Sequence, residues 1–271
     1  MSPVAFTIGN IEVRWYSIFI AVSVVIAYLM IVSESNRFKI KHEFVFNMIF
    51  WTLIFGIIGA RLYYVLFNLN YYLKNPVEIL MIWKGGLAIH GGLILGLITL
   101  VIYTKKYNMR ASKMLDIVVV PLILGQAIGR WGNFFNGEAY GSIVDYHTLA
   151  NIKIIPSFVI DNMYINGSYH LPMFYFESLW CLLGFIIMLI IRRGKYIKEG
   201  QIFGFYLMWY GLARAVIEIF RTDSLMLGNI KIAIVVSIIM FIVGLIIESI
   251  QSRKPKLDEL YNQVETTELR F

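Results

Sequence analysis

The sequence predicts an all-α polytopic membrane protein with seven transmembrane helices and a small ordered extracytoplasmic cap between helices 4 and 5. Three observations predict it. Of 271 residues, 59% are apolar and only 15% are charged, with a mean hydropathy of +0.70. Soluble domains carry roughly 25% charged and about 45–50% apolar residues, so a soluble fold has nowhere to bury this excess. Apolar stretches near the roughly 20 residues needed to cross a bilayer recur seven times. Lys and Arg collect on alternate connections between them, as they do on the cytoplasmic side of membrane proteins. The same figures exclude disorder, a collagen-like chain and a disulfide scaffold.

The first span, 15–32, lacks a basic n-region and an A-x-A-like cleavage site, so it reads as a membrane helix and not as a cleaved signal peptide. The second covers 44–67. The third, 85–103, is rich in glycine around His90, and the fourth covers 114–135. The long connection 136–171 carries the turn pairs Asn136-Gly137 and Asn166-Gly167 and short β-branched runs, which point to an ordered cap and not to a loose loop. Spans five to seven cover 172–191, 201–220 and 230–247. Residues 1–248 thus read as one membrane domain, and 249–271 as an unconstrained cytoplasmic tail.

Orientation follows from the basic residues. One side of the membrane receives Arg37, Lys39 and Lys41; Lys105, Lys106, Arg110 and Lys113; Arg192, Arg193, Lys195 and Lys198; and Arg253, Lys254, Lys256 and Arg270, fifteen in all. The other side receives six: Arg14, Lys74, Lys84, Lys153, Arg221 and Lys231. The N-terminus is expected outside and the C-terminus in the cytoplasm. Three arginines, Arg61, Arg130 and Arg214, fall inside spans.

A charge inside a bilayer costs at least roughly 2.5 kcal/mol and points to function. At about 1.5 Å per helical residue, Arg61 lies about 9 Å from the outer end of its span and His90 about 8 Å from its own. Arg130 and Arg214 reach similar depth, and Tyr16 opens the first span from the same side. Singly, each has a simpler account. Arg61 can snorkel to the headgroups, and the glycines near His90 can serve close helix packing, as can Gly125 and Gly129. Tyr210, Arg214, Glu218 and Arg221 form one helical stripe in which Glu218 neutralises its neighbours. His147 and His170 are assigned to a solvent-exposed outer loop. The coincidence of depth favours a shared pocket. Three buried cations with few buried acids seek an anion, guanidinium groups match phosphate oxygens bidentately, and an anion at this depth is a phospholipid phosphate.

Other chemistries are absent from the sequence. It has no H-E-x-x-H, nucleophile elbow, P-loop or Rossmann fingerprint. Its four histidines fall on different elements, so no metal site is expected. Cys181, the single cysteine, lies in an apolar run where a thiol stays protonated and inert. The net charge of +7 is explained by residues flanking the spans, and no basic patch with exposed aromatics suggests nucleic acid.

The run Gly129-Arg130-Trp131-Gly132-Asn133-Phe134-Phe135-Asn136-Gly137-Glu138-Ala139-Tyr140-Gly141 resembles the signature G-R-x-G-N-F-x-N-x-E-x-x-G of the bacterial prolipoprotein diacylglyceryl transferase family. Supporting matches include Arg14-Trp15-Tyr16, Gly59-Ala60-Arg61-Leu62-Tyr63-Tyr64, the run Gly85 to Gly92 around His90, and Tyr210-Gly211 through Arg221. The resemblance implies an inner-membrane enzyme that moves the diacylglyceryl group of phosphatidylglycerol onto the lipobox cysteine of a prolipoprotein. It would form a thioether and release glycerol phosphate, with no cofactor or metal. The family's motif residues carry over onto Tyr16, His90, Arg130, Asn133, Glu138, Gly141, Tyr210, Arg214, Glu218 and Arg221. One segment departs from the pattern. The family has a His-Pro-x-x-Leu-Tyr-Glu-like run before span 5, whereas this chain reads His170-Leu171-Pro172-Met173-Phe174-Tyr175-Phe176-Glu177. Neither a hydroxyl at 176 nor a catalytic His170 is therefore expected.

Residues and resemblance lead to one expectation of mechanism. Arg130 and Arg214 grip the lipid phosphate and stabilise charge on the departing oxygen, with Arg61 among the substrate-binding residues. His90, with an unperturbed pKa near 6.5, serves as base for the incoming thiol. Tyr16, Asn133 and Glu138 orient partners. Two other readings compete: a transporter or flippase of anionic lipids using the same arginines as a transit site, and a non-catalytic chaperone for signal peptides. The sequence shows no repeated halves or paired broken spans in favour of the first.

Overall fold

The computed structural model describes residues 2–9, 11–221, 226–227 and 230–263. In chain order the helices are α1 (Trp15–Arg37), α2 (His42–Phe67), α3 (Leu69–Tyr72), α4 (Ile89–Lys106), α5 (Ala111–Asn136), α6 (Tyr146–Asn151), α7 (Ser157–Asp161), α8 (Met173–Ile191), α9 (Gln201–Phe220) and α10 (Ile232–Arg253). Three two-stranded antiparallel ribbons accompany them: β1 (Val4–Ile8) with β2 (Ile11–Arg14), β3 (Tyr164–Ile165) with β4 (Ser168–Tyr169), and β5 (Met226–Leu227) with β6 (Ile230–Lys231). Among the described residues α1, α2, α4, α5, α8, α9 and α10 are each long and apolar enough to cross a membrane. The seven expected spans are these seven helices. Their ends differ where polar residues continue a helix beyond the apolar run, as in α1 past Val32 and α10 past Ile247. The third begins at Ile89 and not at Gly85, because Gly85 and Gly86 take φ of 87° and 75°, outside helical space.

The chain divides into two compact units, one built from Met1–Met30 with Leu115–Gln263 and one built on Ile31–Met114. In the second unit α2 and α4 lie side by side. A Cβ on Gly59 would stand 2.5 Å from both the Gly91 carbonyl oxygen and Leu95 Cβ, so only glycine allows this approach. Phe44, fully buried, packs with Tyr103 and Tyr107 at ring-centroid distances of 5.4 and 5.8 Å. Between the two helices the chain forms α3 and two short 3₁₀ turns, Pro76–Leu80 and Ile82–Lys84.

In the first unit, α8 and α9 are clasped by two tryptophans. The indole N–H of Trp180 donates to the Trp209 carbonyl (3.2 Å), that of Trp209 donates to the Trp180 carbonyl (3.1 Å), and the rings stack at 4.5 Å. Ser178 Oγ donates to the Ala127 carbonyl (2.8 Å), fixing α8 to α5. The connection from α5 to α8 folds over its own core of Phe134, Leu149, Val159 and Phe174, with Trp131 packed against it. Its β3–β4 hairpin turns at Asn166 and Gly167, both with positive φ, the pairing an Asn-Gly turn requires.

Residues 254–263, within the expected tail, pack against the connection between α8 and α9. Helix α10 runs to Arg253, and the chain then returns against the α8–α9 connection. The Tyr261 amide donates to the Ile197 carbonyl (2.8 Å) and the Glu199 amide to the Glu259 carbonyl (2.9 Å). Tyr261 is fully buried, and Asn262 Nδ2 donates to the carbonyls of Arg192 (3.1 Å) and Gly194 (2.9 Å), groups left open where α8 ends. Lys198 Nζ likewise donates to the carbonyls of Lys254 and Pro255.

Candidate active site

Three helices of the first unit, α5, α8 and α9, bring together charges that are far apart in sequence. Arg130 leaves the C-terminal half of α5, Glu177 leaves the first turns of α8, and Tyr210, Arg214 and Glu218 lie one turn apart along α9. Glu177 joins the arginines: its Oε1 lies 2.5 Å from Arg130 Nη2 and its Oε2 3.2 Å from Arg214 Nη1. Arg214 Nη2 lies 2.8 Å from Glu218 Oε2, which is in turn 3.8 Å from Arg221 Nη1. Charges thus alternate along Arg130, Glu177, Arg214, Glu218 and Arg221. The Tyr210 hydroxyl sits within this chain, accepting from Arg130 Nη2 (3.1 Å) and donating to Glu177 Oε1 (3.4 Å).

The alternation settles how Arg130 and Arg214 are accommodated within the helices, with Arg221 at the end of α9. Each carboxylate is almost fully enclosed, with side chains 1% and 2% exposed, while the arginines keep 13–19%. Pairing and hydrogen bonding make such burial tolerable. Three positive and two negative groups leave one positive charge, carried by side chains with an open edge. This corrects the expectation that the buried cations have few buried acids beside them. Glu218 does neutralise its two helical neighbours, and Glu177 adds a second carboxylate from another helix. Glu177, like the arginines, is a charge within a span, and its place in the network is not among the sequence expectations.

The signature segment enters this network through Arg130 and meets Arg221 at Gly141. Asn133 Nδ2 donates to Glu138 Oε2 (3.3 Å), and the Glu138 amide donates to the Asn133 carbonyl (2.9 Å), so the end of α5 closes on itself. The Gly141 amide donates to the Leu171 carbonyl (2.8 Å), and Gly141 pairs as an isolated bridge with Arg221. Tyr16, at the start of α1, lies across Gly132, where a Cβ would stand 3.1 Å from Tyr16 Cα and closer still to its ring. His170 is not solvent-exposed as expected. It is 7% exposed, its Nδ1 is 2.9 Å from the Gly141 carbonyl, and its ring lies 4.6 Å from that of Tyr140. Cys181 is fully buried and in no disulfide.

The two remaining expected residues belong to the second unit. His90 is the second residue of α4, partly buried, with its ring 6.2 Å from that of Tyr63. Arg61 is 6% exposed and donates to four main-chain carbonyls, those of Glu78, Ile79, Gly85 and Gly86. Its geometry is therefore that of a residue bound to its own backbone. Among the described residues no cluster of three or more His, Cys, Asp or Glu has a metal-holding arrangement.

Residues 3–249 match the family model described as prolipoprotein diacylglyceryl transferase. The chain is 43% identical over 264 residues to the phosphatidylglycerol–prolipoprotein diacylglyceryl transferase of Staphylococcus xylosus, covering 96% of this chain and 94% of that protein. The proteins of the same name from Listeria innocua and Streptococcus mutans are 45% and 42% identical, over 91% and 93% of this chain and 89% and 96% of their own lengths. With the signature run supplying Arg130 to a buried arginine–glutamate network and likeness extending over nearly the whole length, the chain belongs to the prolipoprotein diacylglyceryl transferase family.

Proposed function

We propose that this transferase moves the diacylglyceryl group of phosphatidylglycerol to the lipobox cysteine of prolipoproteins. The observation that carries the reading is the Arg130–Glu177–Arg214–Glu218–Arg221 chain, whose formal charge of one positive unit complements the single negative charge of a lipid phosphodiester. The described contacts of Arg130 run through Nη2, so its fork keeps N–H donors for phosphate oxygens.

In the reaction the cysteine sulfur attacks the glyceryl carbon that bears the phosphate. A carbon–sulfur bond forms, the carbon–oxygen bond breaks, and glycerol phosphate leaves with the electron pair. Arg130 and Arg214 hold the phosphate and stabilise the charge that grows on the departing oxygen. The thiol proton goes to His90 as general base. Tyr210 holds Arg130 and Glu177 in register, while Tyr16, Asn133, Glu138 and Gly141 shape the substrate's surroundings. The excess of basic residues on one side of the spans supports an external N-terminus, a cytoplasmic C-terminus and a site that faces the outer leaflet, with the 136–171 connection as an extracytoplasmic cap.

The test is direct. Purified protein, phosphatidylglycerol vesicles and a lipobox peptide should yield a peptide heavier by one diacylglyceryl group, together with free glycerol phosphate. Movement of lipid between leaflets with the peptide left unchanged would establish the transporter reading instead.

A further inference from the structure

Arg61 carries an inference beyond the reaction. Its guanidinium has five N–H donors and no acceptor. Four bonds take up both edges of the plane: Nε to the Ile79 carbonyl (2.9 Å), Nη1 to those of Gly85 (2.7 Å) and Gly86 (2.9 Å), and Nη2 to that of Glu78 (2.5 Å). The Tyr72 ring covers a face, its centroid 5.2 Å from Cζ. A phosphate could bind here in the two-pronged manner only by displacing main-chain partners.

Two of the four carbonyls, Glu78 and Ile79, lie within the first 3₁₀ turn and two, Gly85 and Gly86, just after the second, so one side chain ties together both ends of the segment that leads into α4. Directly beyond, the Ala88 amide donates to the carbonyl of Ala60, the neighbour of Arg61 (3.0 Å), and α4 begins at Ile89. His90 follows. Gly86, at φ 75°, is shaped to this contact: a Cβ there would stand 2.6 Å from Arg61 Nη1 and 2.7 Å from the Tyr64 ring. We propose that Arg61 is a positioning residue which, by gathering the carbonyls of Glu78, Ile79, Gly85 and Gly86, sets the start of α4 and with it the imidazole of His90. The proposal rests on the reading of His90 as the base for the thiol.

Steady-state transfer rates of Arg61→Lys, Gly86→Ala, His90→Gln and the double variant Arg61→Lys/His90→Gln, each normalised to folded protein, test it. Lysine keeps the charge but cannot span carbonyls from both ends of the segment. A displacement of the order of 1 Å costs roughly 10²-fold. Arg61→Lys should therefore lower kcat by about 10–10²-fold with KM for phosphatidylglycerol unchanged. Gly86→Ala, which disturbs the clamp from the carbonyl side, should reproduce that signature and carries the test if Arg61→Lys does not fold. In the His90→Gln background, Arg61→Lys should cost no further kcat. A raised KM with kcat retained would make Arg61 a phosphate ligand and overturn the proposal. So would a full, independent loss in the double variant while His90→Gln alone is slow, or unaltered kinetics per folded molecule. Wild-type turnover by His90→Gln alone would instead remove the reading of His90, and this proposal with it.

Discussion

Replacing Glu177 with glutamine removes a carboxylate that touches both Arg130 and Arg214. Glu177 is fully buried, and its oxygens are divided between the two guanidinium groups at 2.5 and 3.2 Å. Glutamine matches its shape, but one oxygen becomes an NH₂ group. Whichever way the amide turns, a donor then faces a donor at one arginine, and the formal charge of the five-residue chain rises from one to two. Removing one partner of a buried ion pair costs about 3–5 kcal/mol. The arginines keep 17–19% exposure, so solvent screening places the loss at the lower end, about 3 kcal/mol. At 1.4 kcal/mol per tenfold this is roughly a hundredfold in the folding equilibrium, which the melt reads. The assay is the rate of diacylglyceryl transfer to a lipobox peptide per folded molecule, with a thermal melt in detergent alongside. Glu177→Gln should melt earlier and, with Arg130 and Arg214 no longer held by one carboxylate, transfer more slowly per folded molecule by roughly 10²-fold, the cost of misplacing a reacting group by about 1 Å. A variant with both the normal rate and the normal melt would refute the reasoning that a shared carboxylate organises the arginines.

Arg130→Lys and Arg214→Lys should insert and accumulate normally, because the charge opposite Glu177 is kept, yet lose activity, because a point charge cannot reproduce a two-pronged phosphate contact; single-turnover rates on membrane-inserted protein decide this. Cys181→Ala should keep nearly full activity, as the acceptor sulfur belongs to the prolipoprotein, and a large loss in well-folded protein would reopen a covalent-enzyme mechanism. Tyr261→Ala should lower stability in detergent by about 3 kcal/mol, the order expected for deleting a fully buried ring, whereas a stop after Gln263 should leave the docked segment in place; melting curves compare the two. Reporter fusions after Lys106 and Lys195 should read cytoplasmic and one after Lys153 external, and the reverse pattern would overturn the proposed orientation.

Much of the molecule was legible because a bilayer penalises polarity so heavily. Arg130, Arg214 and Glu218 stood out as charges inside apolar runs, and all three lie in the network. Glu177 stands equally inside a run, but its pairing with α5 and α9 depends on helix packing that no local pattern contains. The β1–β2 hairpin ahead of α1 gave only a short alternating pattern, too brief to be singled out from its neighbours. The fate of residues 254–263 was invisible for a different reason. Their polar composition suits solvent, and their docking depends on main-chain groups left open at the end of α8, which no local pattern announces.

By itself the sequence determined the number of spans, their approximate ends, the signature around Arg130 and hence the family, because these depend on local apolar length and on residue type at fixed spacing. The tertiary structure alone decided how each buried charge is satisfied. Arg130 and Arg214 meet Glu177 from another helix, whereas Arg61, an arginine of similar expected depth, spends its donors on carbonyls of its own unit. A buried guanidinium must find partners, but which partners it finds is fixed by the packing that brings distant segments within 3 Å, and that distance is written in no single stretch of the chain.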